Sequence, residues 1–145
     1  FSFAHHFANF DAIEAMRLYR DNFKPSVSHE KPYAILATHV VCADTDEEAE
    51  RLAATVDLNF VRRAKGEYQP LASPEDAARY EYTPVDKARI VQNRTRLSVG
   101  SPDTVKARLL PLIEATKADE LMVTTMIFDH AERKRSYELL AKAFK

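Results

Sequence analysis

Apolar segments of this chain are followed three times by amphipathic segments, which is the pattern of a β-strand leading into an α-helix. Residues 1–10 alternate bulky and small side chains and predict the first strand. Residues 33–43 and 121–128 predict two buried strands, and the second is uncharged and β-branched enough to be covered on both faces. Strands that alternate with helices indicate a parallel α/β sheet with right-handed crossovers.

A helix start signal follows each predicted strand, and a fourth helix begins at Ser101-Pro102. Asp11 and Asp129 are the expected N-caps of the first and last helices, and acidic residues open the second helix within residues 44–48. The expected buried stripes have helical spacing. They are Ala12, Met16, Tyr19 and Phe23; Ala49, Leu52, Ala53 and Val56; Val105, Leu109, Leu112 and Ile113; and Tyr137, Leu140, Ala141 and Phe144.

Residues 66–97 break this pattern, because they are polar and contain prolines. Ser73-Pro74 and Thr83-Pro84 each predict the beginning of a short helix. We interpret the segment as an insertion within a single domain that spans residues 1–145, and it forms either a lid or an interface.

Three arginines of the insertion, Arg89, Arg94 and Arg96, would suit an anionic ligand. Acidic residues are scattered through the same segment, however. A solvated surface is therefore the preferred interpretation of these charges.

Composition removes several classes of partner. Lysine and arginine (21) nearly balance aspartate and glutamate (22), so no nucleic acid or anionic membrane is expected as a partner. No apolar segment has the length of a membrane span. Cys42 is the single cysteine and lies in an apolar run, which favours a core residue in a reducing, cytoplasmic setting. The chain starts within an apolar stretch without methionine, so we expect the native chain to extend N-terminally.

Four segments, in this order, resemble the bacterial luciferase-like flavin-dependent monooxygenases. They are Phe-Ala-His-His-Phe at residues 3–7, Val-Val-Cys-Ala-Asp-Thr-Asp-Glu-Glu-Ala at 40–49, Val-Gly-Ser-Pro-Asp-Thr-Val at 99–105, and the stretch 120–140 that runs from Glu-Leu-Met-Val-Thr-Thr to Arg-Ser-Tyr-Glu-Leu-Leu. The resemblance implies a (β/α)₈ TIM barrel, of which this chain would supply the C-terminal βα units plus the helical insertion.

The same resemblance implies an oxidoreductase in which reduced flavin and O₂ oxidise a small organic substrate. FMN is the expected cofactor, coenzyme F420 a less favoured one, and a flavin reductase a possible partner. A whole barrel needs about 250 residues, so this chain alone is expected to be incomplete. Its unpaired strand edges would favour a homo-oligomer or a longer native chain. The alternative is a non-catalytic flavin-binding or assembly module derived from such a barrel.

Under this resemblance, His5 and His6 lie near the active-site rim, where barrel strands end. Alternation allows only one of them to point into the barrel, and we favour His6, with His5 packed under the helices. Near neutral pH a histidine can hydrogen-bond to a flavin or donate a proton. The alternative is a pair of structural histidines that satisfy backbone groups.

Polar residues within the second and last predicted strands are the other pocket candidates. Thr38 and Thr125 complete the expected cofactor-binding set with His6 and His5, and His39 and Thr124 lie beside them. The simpler interpretation, which we prefer, is that the threonines suit strands and that His39 is hydrogen-bonded in the core. No catalytic residue is assigned, and no spacing suggests a metal site.

Two further motifs have simpler explanations than chemistry. Asp129 and His130 could form an acid–imidazole dyad, but capping accounts for Asp129. Gly100-Ser101-Pro102 could hold a phosphate through free amides, but a helix start is the preferred role.

Overall fold

Strands and helices alternate along the computed structural model, which describes all 145 residues. The strands are β1 (Ser2–Ala4), β2 (Ile35–Cys42), β3 (Leu97–Gly100) and β4 (Glu120–Thr124). The helices are α1 (Ala12–Asp21), α2 (Asp46–Ala64), α3 (Pro74–Arg79), α4 (Pro84–Arg94), α5 (Pro102–Thr116) and α6 (His130–Ala143). None of these helices is both long and apolar enough to cross a membrane.

All strand pairings are parallel and centre on β2. Ile35 and Ala43 donate their amides to Phe1 and Gly100, at 2.8 and 3.3 Å. Because backbone groups of alternate residues point to the same edge, β1 and β3 share one edge of β2. Ala34 accepts a hydrogen bond on the opposite edge, where β4 pairs. The predicted parallel α/β sheet is confirmed, and β1, β2 and β4 form a barrel-like arc in chain order.

The first strand is shorter than predicted, because it ends at Ala4 instead of residue 10. β1 pairs only with residues 35–37 of β2, and β3 pairs with residues 39–42 on the same edge. The edge beyond residue 37 is therefore occupied, and the chain turns away. Sequence reasoning missed β3, since four residues between an insertion and a helix carry too little pattern to predict a strand.

One face of the sheet is covered by α1, α5 and α6. Two apolar clusters form this layer and share Leu121: Ala12, Met16, Ala34 and Leu36; and Val40, Cys42, Val105, Leu109, Leu139 and Leu140. The predicted buried stripes of α1 and α5 lie largely in this layer, although Leu112 and Ile113 are only partly buried.

The buried face of α6 is rotated from the predicted one. Tyr137 is 43% exposed, whereas Ser136 and Leu139 are buried together with Leu140. The Ser136 hydroxyl accepts a hydrogen bond from the buried backbone amide of Cys42, at 3.0 Å. Because a buried amide needs a partner, this polar contact belongs to the interface, and an apolar stripe alone does not reveal it.

The other face of the sheet is covered only near the C-terminal end of β2. There α2 packs its predicted stripe on Val41 and Ala43, and Ile127 joins this cluster. β4 is left open on this side, with Met122 46% exposed. The prediction of a strand over 121–128 that is covered on both faces is therefore wrong, since β4 ends at Thr124 and no element of the chain covers this face.

The insertion is attached firmly to α2. Its two predicted helices, α3 and α4, begin as expected behind Ser73 and Thr83. Buried Asp86 of α4 accepts a hydrogen bond from Lys65 at 2.8 Å, and Arg94 pairs with Asp57 of α2 at 2.8 Å. The role of this segment as a lid or an interface stays a prediction.

Candidate functional site

Polar side chains converge where β1 ends and β3 begins along β2, a place we call the junction. Ala4 is the Cα partner of Ala37, and Leu97 is the Cα partner of His39. The chain turns sharply after Ala4, whose carbonyl accepts hydrogen bonds from the amides of residues 7 and 8, at 3.0 Å each. The junction therefore lies at the carboxyl end of β1, where ligands bind in parallel sheets.

His6 lies at the junction on the open face of the sheet, as expected. Its Nδ1 is 3.2 Å from the carbonyl oxygen of Ala37. A carbonyl can only accept, so Nδ1 carries a proton, and Nε2 is an acceptor when the ring is neutral. The ring lies against Phe7, with centroids 4.1 Å apart, and meets the His39 ring edge-on at 6.4 Å.

His39 is the side chain at this site that sequence reasoning undervalued. It is not satisfied in the core, because its Nε2 is buried without a hydrogen-bond partner. Burial lowers the pKa of His39 to about 4, and the neighbouring His6 contributes to the shift. The ring is therefore neutral near pH 7, with one nitrogen ready for a ligand. Buried polar atoms without partners are rare, which makes this nitrogen a functional signal.

The threonine candidates fall into different places. Thr124, the Cα partner of His39, lies on the open face, and its hydroxyl donates to the carbonyl of Thr38 at 3.4 Å. Thr125 is 7% exposed, and its buried Oγ1 has no partner. Its role in cofactor binding stays a prediction.

Thr38 is not part of the junction. It alternates with Leu36 and Val40, which pack against helices, so its side chain belongs to the covered face. It is buried there, away from the face that carries His39.

His5 is partly buried just after the end of β1. Burial and the positive charge of Arg96 lower the pKa of His5, and His6 adds to this effect while Asp11 opposes it. Arg96 forms no ion pair, and its one polar contact is with Oδ1 of Asn9 at 3.5 Å.

The other two arginines of the insertion differ from Arg96. Arg94 is held by Asp57 and Glu50, at 2.8 and 3.1 Å, and is not free for a ligand. Arg89 is half-buried on α4.

Internal carboxylates explain the remaining motifs. Asp46 accepts hydrogen bonds from the Ser101 amide at 2.6 Å and from the Thr104 hydroxyl at 3.1 Å, so a phosphate would have to displace it. Ser101 occupies the N-cap position of α5, but its side chain makes no capping hydrogen bond. Gly100 permits this close approach, because a Cβ there would lie 2.5 Å from Cγ2 of Thr104.

Asp129 is a helix cap, as preferred from the sequence. It accepts hydrogen bonds from the amides of Ala131 and Glu132, at 2.8 and 2.9 Å. His130 contacts Arg133 instead of forming a dyad, at 2.8 Å. Burial raises the pKa of Cys42 to about 11, which suits a core thiol.

Two surface grooves of the chain lie away from the junction. One of about 260 Å³ is lined by aromatic rings that include Phe1, Tyr19 and Tyr33 near the amino ends of β1 and β2. The junction is instead an open surface that carries the His6 ring and the partnerless Nε2 of His39.

Sequence comparison finds relatives over nearly the whole chain. The Bacillus subtilis (strain 168) protein YceB is 44% identical over 140 residues, which are 96% of this chain and 42% of YceB. A luciferase-like monooxygenase of Escherichia coli (strain K12) is 37% identical over 139 residues, with the same two shares. The chain thus spans about two fifths of the length of the curated relatives it matches. No protein-family model matches it.

Solved structures share the fold. Apo-MsnO8 superposes with a TM-score of 0.86 at 36% identity, over 99% of this chain and 44% of that one. The oxygenating constituent of 3,6-diketocamphane monooxygenase from Pseudomonas putida, a type II Baeyer-Villiger monooxygenase in complex with FMN, gives a TM-score of 0.58 at 28% identity, over 98% and 40%. The resemblance to luciferase-like monooxygenases is confirmed, and the chain corresponds to part of such a fold.

Proposed function

We propose that this chain, a relative of the luciferase-like monooxygenases in sequence and fold, is the C-terminal part of a flavin-dependent monooxygenase. The whole enzyme would use reduced flavin and O₂ to oxidise a small organic substrate. The observation that carries the proposal is the junction, where the partnerless Nε2 of His39 lies near His6 at the carboxyl end of β1 in a barrel-like parallel arc.

The junction has the features that a flat, partly polar ring system needs. Ala4, Ala37 and Met122 are register neighbours on the open face and offer a shallow apolar floor. Phe7 is 77% exposed beside His6 and can contact an aromatic ring. Bound flavin would supply the reaction with O₂, which side chains cannot carry out.

The proposed roles of the histidines follow from the contacts of their ring nitrogens. His6 would accept a hydrogen bond at Nε2, from an N–H or hydroxyl of the ligand. Neutral His39 would bind through its buried Nε2, and Thr125 through its buried hydroxyl. His5, partly buried just after β1, would contribute to the rim of the cofactor site. FMN is preferred over coenzyme F420, because a structural relative is a complex with FMN.

The outer edges of β1 and β4 are unpaired, and the open face would have to be covered to enclose a ligand. We therefore propose that further chain or a second copy completes the site, with a flavin reductase as the electron source. The single buried cysteine supports a cytoplasmic location. The open face also supports a second candidate function. The chain would then be a module that binds flavin or assembles with other chains without catalysis.

A flavin titration of the full chain tests the proposal. Reduced FMN would be titrated anaerobically into wild type, His6→Ala, His39→Ala and His130→Ala, and O₂ uptake would be measured on each complex. We expect FMN affinity to fall about tenfold in the first two variants, as for a lost ligand hydrogen bond, and to be unchanged in the third. An FMN affinity that is unchanged in His6→Ala and His39→Ala, or a larger loss in His130→Ala, would contradict the proposal. Binding that leaves the rate of O₂ uptake equal to that of free reduced FMN would favour the non-catalytic module.

A further inference from the structure

Met122 is the one exposed sulfur side chain of the molecule, and it lies on the open face of the sheet. The chain has three methionines and one cysteine. Met16 is fully buried, and Met126 is partly buried against the cluster that α2 forms with β2. Buried Cys42 keeps its proton at neutral pH, because its pKa is raised to about 11. An oxidant that reaches the chain therefore finds one accessible sulfur.

We propose that Met122 is a site of reversible oxidation, at which hydrogen peroxide converts the thioether to a sulfoxide that accepts a hydrogen bond from Nε2 of His39. The O–O bond of the peroxide breaks and an S–O bond forms, so the sulfur loses two electrons and the peroxide is reduced to water. Reduced flavin and O₂ release hydrogen peroxide when no substrate takes up the oxygen. The source of the oxidant therefore rests on the proposed function, whereas the accessibility of Met122 does not.

The strand register brings Met122 close to His39. Met122 is the Cα partner of Ala37, and His39 lies two residues further along β2 on the same face. Leu121 and Val123 pack against the helices, so alternation turns Met122 to the open face. A strand spacing of about 4.8 Å and a rise of about 3.3 Å per residue put the two backbones about 8 Å apart, a gap that two long side chains can bridge.

The ring nitrogen that meets the sulfoxide has no other partner. Nε2 of His39 is buried without a hydrogen bond. A thioether sulfur is only a weak acceptor, whereas a sulfoxide is polar and its oxygen accepts hydrogen bonds. In the tautomer that carries its proton on Nε2, the ring donates this proton to the new oxygen, and the buried donor is satisfied. Oxidation of Met122 thereby occupies the nitrogen that the proposed ligand needs.

Peptide mass spectrometry of the full chain, treated with hydrogen peroxide at neutral pH, tests the accessibility of the sulfur. We expect Met122 to be oxidised first, Met126 more slowly and Met16 last, because oxidation follows exposure. NMR of the imidazole ring tests the contact. An acceptor at Nε2 favours the protonated ring, so the pKa of His39 should rise from about 4 after oxidation. Methionine sulfoxide reductases should return it to its starting value.

Three variants separate this contact from general oxidative damage. Met122→Leu keeps an apolar side chain of similar volume without sulfur, so peroxide should leave the pKa of His39 at its value before treatment. Met126→Leu is the matched control and should respond to peroxide like wild type. Met122→Gln carries an amide oxygen as acceptor, and it should raise the pKa of His39 without any oxidant.

Faster oxidation of Met126 than of Met122 would overturn the proposal. Complete oxidation of Met122 that leaves the pKa of His39 unchanged would also overturn it. An equal response of His39 in wild type and Met122→Leu would assign the effect to another residue.

Reduced FMN separates this inference from the proposed function. Oxidation of Met122 should weaken FMN about tenfold, as for a lost ligand hydrogen bond. Reduced FMN and O₂ should oxidise Met122 even when catalase is present, because peroxide formed at the junction meets the sulfur before it reaches the catalase. Protection of Met122 by catalase would place the source of peroxide outside the junction. An FMN affinity that is equal before and after oxidation would refute flavin binding through His39. In both cases a response of Met122 and His39 to added peroxide would leave the oxidation site standing.

Discussion

The two faces of β2 differ in how well their side chains are packed and in whether their buried polar groups have hydrogen-bond partners. On the helix-covered face, Leu36 and Val40 pack against helices, and the Cys42 amide donates a hydrogen bond to the Ser136 hydroxyl. On the opposite face, the buried Nε2 of His39 has no partner. One strand therefore has a packed core on one face and, on the other face, a buried polar atom without a partner.

Residues that stabilise the fold and residues proposed to bind a ligand therefore alternate along the same strand. Side chains of the covered face contribute buried apolar area, which is the main stabilising term of a fold. The polar groups of the open face contribute little to stability and keep hydrogen-bonding capacity for a ligand. The comparison can be tested by altering each face separately.

Truncating the covered face should have the largest effect. Leu36 is fully buried between β2 and α1, so Leu36→Ala should lower the free energy of unfolding by about 2–5 kcal/mol. Met122 on the open face is the matched control, and Met122→Ala should change it by less than about 0.5 kcal/mol in the 145-residue chain. Urea unfolding measures both values. Equal losses would mean that the open face is covered in solution.

His39 should make stability depend on pH. Its pKa in the folded chain is about 4, against 6.5 for a free imidazole. Below pH 6.5, His39 therefore binds a proton in the unfolded chain but not in the folded chain. The free energy of unfolding falls as the pH decreases from 6.5 to 4. Each tenfold difference in proton affinity is worth about 1.4 kcal/mol, so the loss should approach about 3 kcal/mol.

Urea unfolding across this pH range measures the effect. His39→Gln should flatten the profile, and the contribution of His5, whose pKa is also lowered, should remain in both proteins. A wild-type profile that matches His39→Gln would show that His39 is not desolvated.

Removing one hydroxyl from α6 should have a smaller effect. Ser136→Ala leaves the buried Cys42 amide without an acceptor and should cost about 1–3 kcal/mol of unfolding free energy. Tyr137→Ala, at the position that the apolar stripe wrongly predicts to be buried, should cost less. Thermal denaturation of both variants ranks them, and the reverse order would restore the predicted face of α6.

Features set by neighbouring residues in the chain were predictable. Asp11, Thr83 and Asp129 cap helices as expected. A cap needs only a side-chain oxygen that accepts a hydrogen bond from a backbone amide within the next three residues. The stripe of α2 is buried as expected, since helical spacing alone brings Leu52 and Val56 to one side. The helices of the insertion follow from the same local rules.

Features set by competition between distant segments were not predictable. β1 ends at Ala4 because β3, about ninety residues later, occupies the rest of the same edge. The buried Nε2 of His39 likewise finds no hydrogen-bond partner among the distant segments that surround it. No spacing within residues 1–10 or 33–43 carries this information.

The sequence by itself therefore determined the helices, their caps, the parallel α/β class and the resemblance to luciferase-like monooxygenases, since each depends on local order along the chain. Only the tertiary structure decided which face of β2 carries the site. Alternation makes Thr38 and His39 opposites, and only packing against α1, α5 and α6 shows which of the two is enclosed by helices.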